Sequence, residues 1–434
     1  MRTRFLLQGF LSGALAMSLP CVASEPAPQN PKLPGGAGLA KPALDRLLQR
    51  ARETQSDALV VLRGGYLVVE EHFGTEDGSI ETMSATKSFV SLAVGLLLDE
   101  GRLRSLDQPV HEFFPEWKQG RKRTVTVRHL LSHTSGLQNV PSAEQEIYSS
   151  PDILKLALAA ELDSDPGTAW SYNNKAVNLL AALVSKVAGE RVDLYLAKRL
   201  FHPLGITEFK WDLDRAGNPY GMSGLQIRPV DLAKVGAMLA AGGIWQGKRI
   251  LSEGWIREST VEASQPFNPN NGLLWWLIGG RMEVGPMIDD ADLAKLRKGG
   301  LDEALLTKLA RLKGKVPEGD AHAGQLIEEA LGSGGAEVWR NQVVPRIGPP
   351  KVKRIGPPFA FAASGYLGQY LLVWPEENLV VVRMHRPREA SQAGTSAGEG
   401  DAAAAKNPEF MDFYGLALRL LPPPKSPSLQ APNS

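Results

Sequence analysis

Met83-Ser84-Ala85-Thr86-Lys87-Ser88-Phe89-Val90-Ser91-Leu92-Ala93-Val94-Gly95-Leu96-Leu97-Leu98-Asp99-Glu100-Gly101 is the stretch around which the chain is organised. After Lys87, the apolar residues Val90, Val94, Leu97 and Leu98 recur at three- and four-residue steps. Ser84 stands where an N-cap or first-turn hydroxyl belongs, and Gly101 ends the pattern. The spacing predicts one helix of about four turns. Residues three apart share a helical face, so Ser84 and Lys87 are placed as a nucleophile and its base. Burial and the positive end of the helix dipole both disfavour an ammonium, the condition under which a lysine accepts a hydroxyl proton. S-x-x-K also marks ordinary solvated helix starts, so it gains weight only from what else the chain carries.

At 434 residues the chain suits two domains, or one domain with a large insertion. Its 48 Lys and Arg nearly cancel its 47 Asp and Glu. That balance gives no footing for nucleic acid or an anionic membrane surface, and it points to a small ligand of low charge. Residues 1–24 have the form of a secretory signal: Arg2 and Arg4 precede an apolar run from Phe5 to Leu19, and Val22-Ala23-Ser24 provides small residues for cleavage after Ser24. The single cysteine, Cys21, lies inside this segment, and Pro20 before it suits a lipid-attachment box poorly. The mature chain then has no thiol, which removes disulfides, cysteine nucleophiles and thiolate metal sites together. No later apolar run is long enough to span a bilayer, so a periplasmic or secreted protein without stable membrane insertion is expected.

Residues 25–42 are rich in Pro, Gly and Ala and read as a flexible linker. A helix over 43–54 precedes a hairpin over 58–73 that turns at Gly64-Gly65. Helical patterns at 153–162, 176–188, 192–200 and 230–241 follow, with a short hairpin at 244–250. Strand patterns return at 369–374 and 379–384. The expected organisation is a sheet portion from 43–115 and 355–421, a mostly helical portion from 116–284, and a disordered tail over 422–434. An inserted helical lobe occupies 285–354, ending in an extended Pro-rich connector because Arg346-Ile347-Gly348-Pro349-Pro350 recurs as Arg354-Ile355-Gly356-Pro357-Pro358. Residues 387–407 form an Ala/Gly/Ser-rich loop before a closing helix over 409–421.

Two further stretches carry chemistry. Trp170-Ser171-Tyr172-Asn173-Asn174 follows the Asp165-Pro166-Gly167 turn and opens a helix, which puts the Tyr172 phenol and the Asn174 carboxamide on the same side of the backbone. A neighbouring lysine lowers a phenol's pKa, so Tyr172 suits a proton relay. Phe361-Ala362-Ala363-Ser364-Gly365-Tyr366-Leu367-Gly368-Gln369 opens the late strand pair, and its small residues let a substrate approach a backbone N–H closely.

Together the three stretches resemble the class C β-lactamase-related serine hydrolases of the penicillin-recognising superfamily, for which S-x-x-K is a signature. Arg128-His129-Leu130-Leu131-Ser132-His133-Thr134-Ser135-Gly136-Leu137 and Gly224-Leu225-Gln226-Ile227-Arg228-Pro229-Val230-Asp231-Leu232-Ala233 are similar to further segments of that family, and the likeness runs from about residue 43 to residue 421 outside the lobe. It implies an α/β (α+β) fold of the β-lactamase/transpeptidase type, with an antiparallel sheet built from both chain ends and flanked by helices. It also implies Ser84 as the acylated nucleophile, Lys87 as its base partner, Tyr172 as proton shuttle, and Asn174 orienting Lys87 or the substrate. The backbone N–H groups of Ser84 and Tyr366 would form the oxyanion hole, with Ala363, Ser364 and Gly365 beside the substrate.

The third motif departs from the family. Ala363 stands where a β-lactamase or transpeptidase has a lysine, so no evident cation holds a β-lactam carboxylate, and β-lactamase or D-Ala carboxypeptidase activity is disfavoured. The wording is closer to the esterase and 6-aminohexanoate-oligomer hydrolase branch. The expectation is an exported serine hydrolase acting on a small ester or amide without a cofactor, the alternative being a non-catalytic binding module on the same scaffold. His129 and His133 have a metal-like spacing but no zincin glutamate and no evident third ligand, so no metal is expected. Trp275-Trp276 reads as core or as a wall beside the site.

Overall fold

A computed structural model describes residues 38–74, 78–140, 143–261, 267–317, 320–348, 351–387 and 408–421. The expected signal peptide, most of the linker, nearly all of the 387–407 loop and the 422–434 tail lie outside the described residues.

The sheet has six strands: β1 (Ala58–Arg63), β2 (Tyr66–His72), β3 (Trp276–Ile278), β4 (Ala360–Gly365), β5 (Gln369–Trp374) and β6 (Leu379–Met384). They run in the spatial order β2-β1-β6-β5-β4-β3, antiparallel throughout. Gly64 and Gly65 turn the first hairpin with φ of 59° and 79°, a conformation that side chains resist. The first and last parts of the chain meet where Val60 lies opposite Val382. Edge strand β3 departs from expectation. It comes from mid-chain, where Trp276 pairs with Ala362 at the sheet edge while Trp275 is buried edge-on against Phe361.

Successive residues of a strand point to opposite faces, and here both faces are covered. Leu371, Val373, Val380 and Val382 face one apolar core, and Tyr370, Leu372, Trp374, Leu379 and Val381 the other. On the second face lie α1 (Lys41–Glu53) and the closing helix Pro408–Leu418. On the first face lie α2 (Thr86–Asp99), α3 (Asn174–Ala188) and α4 (Pro229–Ala240). All but two residues of α2 are buried, which explains why its sequence is apolar on nearly every side. No helix among the described residues is long and apolar enough to cross a membrane.

The segment after Gly285 builds its own apolar cluster from Ile288, Leu296, Leu309, Leu312, Trp339 and Val343. Of the expected extended connector, the described residues are extended in the second copy and helical in the first. The first Arg-Ile-Gly-Pro-Pro copy closes a helical turn, Val344–Ile347, whereas the second ends a strand, Val352–Ile355, paired antiparallel with Arg281–Val284. Arg354 fixes that ribbon by donating to the carbonyls of Pro269 and Leu277 at 3.2 Å. The shared Arg-Ile pair thus takes two conformations, helical at Arg346-Ile347 and extended at Arg354-Ile355, where a partner strand is present.

Candidate active site

Ser84 sits at a corner. Met83–Ala85 is a 3-10 turn ahead of α2, rather than the first turn of the helix itself, and Met83 has a left-handed φ of 49°. Such a residue costs roughly 1–3 kcal/mol and persists only where its surroundings hold it. Thr82 is the holding point: its N–H donates to the Leu225 carbonyl at 2.8 Å, and its hydroxyl pairs with that of Thr86 at 2.9 Å. The corner is thereby pinned to the short strand Leu225–Ile227.

One helical turn on, Lys87 is only 4% exposed, and its Nζ donates to Ser84 Oγ and to the Met222 carbonyl, both at 2.9 Å. Met222 is fixed in turn, since its N–H donates to Asn178 Oδ1 at 3.1 Å. The Lys87 amine also lies 4.8 Å from the centre of the Tyr172 ring. Hydroxyl, amine and phenol ring, read from separate stretches of sequence, therefore share one site.

The loop that delivers Tyr172 is held from both sides. Asn173 caps α3, its Oδ1 accepting the Ala176 N–H at 2.9 Å, while its amide donates to the Leu137 carbonyl at 2.7 Å. Asn139 donates to the Tyr172 carbonyl at 2.7 Å. His133 completes the clamp. Its carbonyl accepts the Ser171 N–H at 2.8 Å, its Nδ1 accepts the Asn173 N–H at 3.1 Å, and its ring stands 4.7 Å from that of Tyr172. The two histidines with metal-like spacing do separate structural work, because His129 Nδ1 instead accepts the Thr126 N–H in a helix cap. Asn174, 6% exposed at the start of α3, has an Oδ1 without a hydrogen-bond partner among the described residues.

Burial, aided by the Lys87 charge, pushes the His133 imidazole down to about 3, so it is neutral at ordinary pH. The unfolded ring titrates near 6.5, so between 6.5 and about 3 the unfolded chain binds the additional proton. The stability from burying a neutral ring is therefore present above 6.5 and lost as pH falls through that window. His133→Phe keeps a ring and removes the titration. Its melting temperature should fall less between about pH 7 and pH 4 than that of the wild type, and an equal fall would refute the assignment.

The third motif reaches the same corner. An ideal Cβ on Gly365 would lie 2.4 Å from the Thr82 carbonyl oxygen and 3.0 Å from the Ser84 nitrogen, so only glycine allows β4 to end against the nucleophile turn. Ala363 is buried in β4, Ser364 is half-buried opposite Tyr370, and Tyr366 is exposed at the start of a tight turn, Tyr366–Gly368.

Sequence reasoning missed Met222, Asn178 and the His133 clamp, although the quoted family-like segment from Gly224 begins two residues after Met222. It also missed Glu144, whose carboxyl is pushed up to about 7 by burial against the opposing pull of Lys87. Near it Tyr148 pairs its hydroxyl with that of Ser223 at 2.7 Å.

The beta-lactamase family model matches residues 44–406 of the chain. A 6-aminohexanoate-dimer hydrolase of Paenarthrobacter ureafaciens is 27% identical over 267 residues, 54% of this chain and 68% of its own length. A penicillin-binding protein candidate of Bacillus subtilis (strain 168) is 26% identical over 182 residues, 40% of this chain and 45% of its own, so the match spans under half of that relative. Among solved structures, a 6-aminohexanoate-dimer hydrolase candidate from Bacillus anthracis aligns with a TM-score of 0.58 at 17% identity, over 87% of this chain and 83% of its own. At that identity the likeness establishes the fold.

Proposed function

Because the chain belongs to the beta-lactamase family of serine hydrolases, we propose that it hydrolyses small esters or linear amides through an acyl-enzyme on Ser84. The observation that carries this reading is the buried Lys87 amine 2.9 Å from Ser84 Oγ and 4.8 Å from the centre of the Tyr172 ring. Ser84 Oγ attacks the substrate carbonyl carbon while its proton passes to the neutral Lys87 amine. The carbonyl oxygen becomes an oxyanion, held by the backbone N–H groups of Ser84 and Tyr366. Collapse expels the alcohol or amine, which takes its proton through Tyr172. Water then attacks the acyl carbon, the same groups carry its proton, and the acid leaves with Ser84 restored.

Asn174 Oδ1, buried and without a partner among the described residues, is suited to accept from the Lys87 amine or from a substrate amide N–H. Ala363 offers no charge for a β-lactam carboxylate, which favours esters and linear amides. The name of the Paenarthrobacter relative points the same way for linear amides. The secretory form of residues 1–24 supports action in the periplasm or outside the cell.

The test is labelling of the mature protein with a fluorophosphonate, followed by peptide mapping, beside a substrate panel of nitrophenyl esters, linear amide oligomers, D-amino-acid peptides and a chromogenic cephalosporin. Label on Ser84 and turnover of esters or linear amides, with the cephalosporin slowest, is the expected result. An unlabelled Ser84, or label on another serine, overturns the mechanism.

A further inference from the structure

Arg383 is an ionisable group that the proposed mechanism does not use, and it is wholly buried in β6. A buried guanidinium is costly unless its donors are satisfied, so its partners show what it was placed to hold. Nη1 donates to the carbonyls of Leu367 at 2.7 Å and Gly368 at 2.8 Å. Nε donates to Ser56 Oγ at 2.7 Å and Nη2 to the Thr54 carbonyl at 3.2 Å. The Phe413 ring covers the group, 4.8 Å from its central carbon. One side of the cation grips the chain leaving α1; the other grips the tight turn Tyr366–Gly368.

That turn needs holding. Leu367 has a φ of 65°, a left-handed conformation that costs a non-glycine residue about 1–2 kcal/mol. Its far end is fastened as well, since the His385 N–H donates to Gln369 Oε1 at 3.0 Å and the Gln369 amide donates back to the His385 carbonyl. Its near end is Tyr366, next to the Gly365 that abuts the Ser84 corner. A donor in an oxyanion hole acts by being fixed before charge develops, so a small swing of this turn would misplace the Tyr366 N–H.

We propose that Arg383 is a positioning residue for the oxyanion hole, its two hydrogen bonds to the Leu367 and Gly368 carbonyls holding the turn that presents the Tyr366 N–H. This rests on the acyl-enzyme reading above. Arg383→Lys keeps the charge and most of the stem but cannot span both carbonyls and Ser56.

The experiment measures kcat per Ser84 titrated by fluorophosphonate, together with KM for a nitrophenyl ester and the affinity of a tetrahedral boronate, all well below the variant's melting temperature. The expected result is a fall of about 100-fold in kcat per titrated site with KM nearly unchanged, and a parallel weakening of boronate binding. A purely structural role would lower the titrated fraction and leave kcat per site intact, which would overturn the proposal. If the lysine variant does not fold, Arg383→Gly is assayed with and without millimolar guanidinium. Recovery of kcat per site and boronate affinity by guanidinium, and not by urea, supports the role; recovery of titrated protein alone refutes it. Failure of the underlying mechanism is a separate outcome, visible as an unlabelled Ser84 in the wild type.

Discussion

Ser84→Ala is expected to melt within a degree or two of the wild type, lose fluorophosphonate labelling, and hydrolyse nitrophenyl esters at the background rate, a drop of about 10^4-fold or more. The near-silent stability follows from the geometry. The hydroxyl is half-buried on a 3-10 turn, and its removal takes from Lys87 only one acceptor, leaving the bond from Nζ to the Met222 carbonyl at 2.9 Å. The buried amine therefore keeps a partner, and the change in stability should stay within about 1 kcal/mol. The catalytic loss follows from chemistry, because without Oγ there is no atom at this corner to acylate. Steady-state ester turnover and labelling of the same preparation settle the matter. A variant that kept turnover would end the Ser84 mechanism, and one that kept substrate binding without turnover would remove the binding-module alternative's claim on the serine.

Much of the scaffold was legible because its elements carry their own period. The three- and four-residue apolar steps after Lys87 became α2, and the apolar runs at 59–62 and 66–69 became a hairpin on the turn that Gly64-Gly65 predicts. The likeness of three short motifs brought Ser84, Lys87, Tyr172 and Gly365 onto the same list, and the fold brings them to one corner. What could not be read depends on partners remote in sequence. The Met222 carbonyl lies 135 residues from the lysine it anchors, and a backbone carbonyl has no side-chain signature. His133 has a metal-like spacing to His129, yet its work is to accept the Asn173 N–H and flank the Tyr172 ring, which only tertiary packing decides. Trp276 became an edge strand because Ala362 was there to pair with it. Arg346-Ile347 and Arg354-Ile355 differ for the same reason, since strand propensity counts only where a neighbouring strand supplies the bonds.

Lys87→Met is the counterpart of the serine variant, and it should fail differently. Methionine fills nearly the same buried, unbranched volume, but it leaves the Met222 carbonyl and Ser84 Oγ without their donor at 2.9 Å. An unpaired buried carbonyl costs about 1–3 kcal/mol, so a measurable fall in melting temperature is expected here and not for Ser84→Ala. Ser84 keeps its hydroxyl, so fluorophosphonate labelling should persist, slowed by roughly 10^2- to 10^4-fold, the range general base assistance supplies. The pH dependence separates loss of a base from loss of packing. A lysine accepts the serine proton only in its neutral form, so wild-type acylation should climb with pH as the amine gives up its proton, and the methionine variant should lack that climb. The measurement is the labelling rate across neutral and alkaline pH for both proteins. If the variant acylates at the wild-type rate, or keeps the same rise, the base is another group, and Tyr172, whose ring already lies 4.8 Å from the amine it would replace, is the first to substitute by phenylalanine.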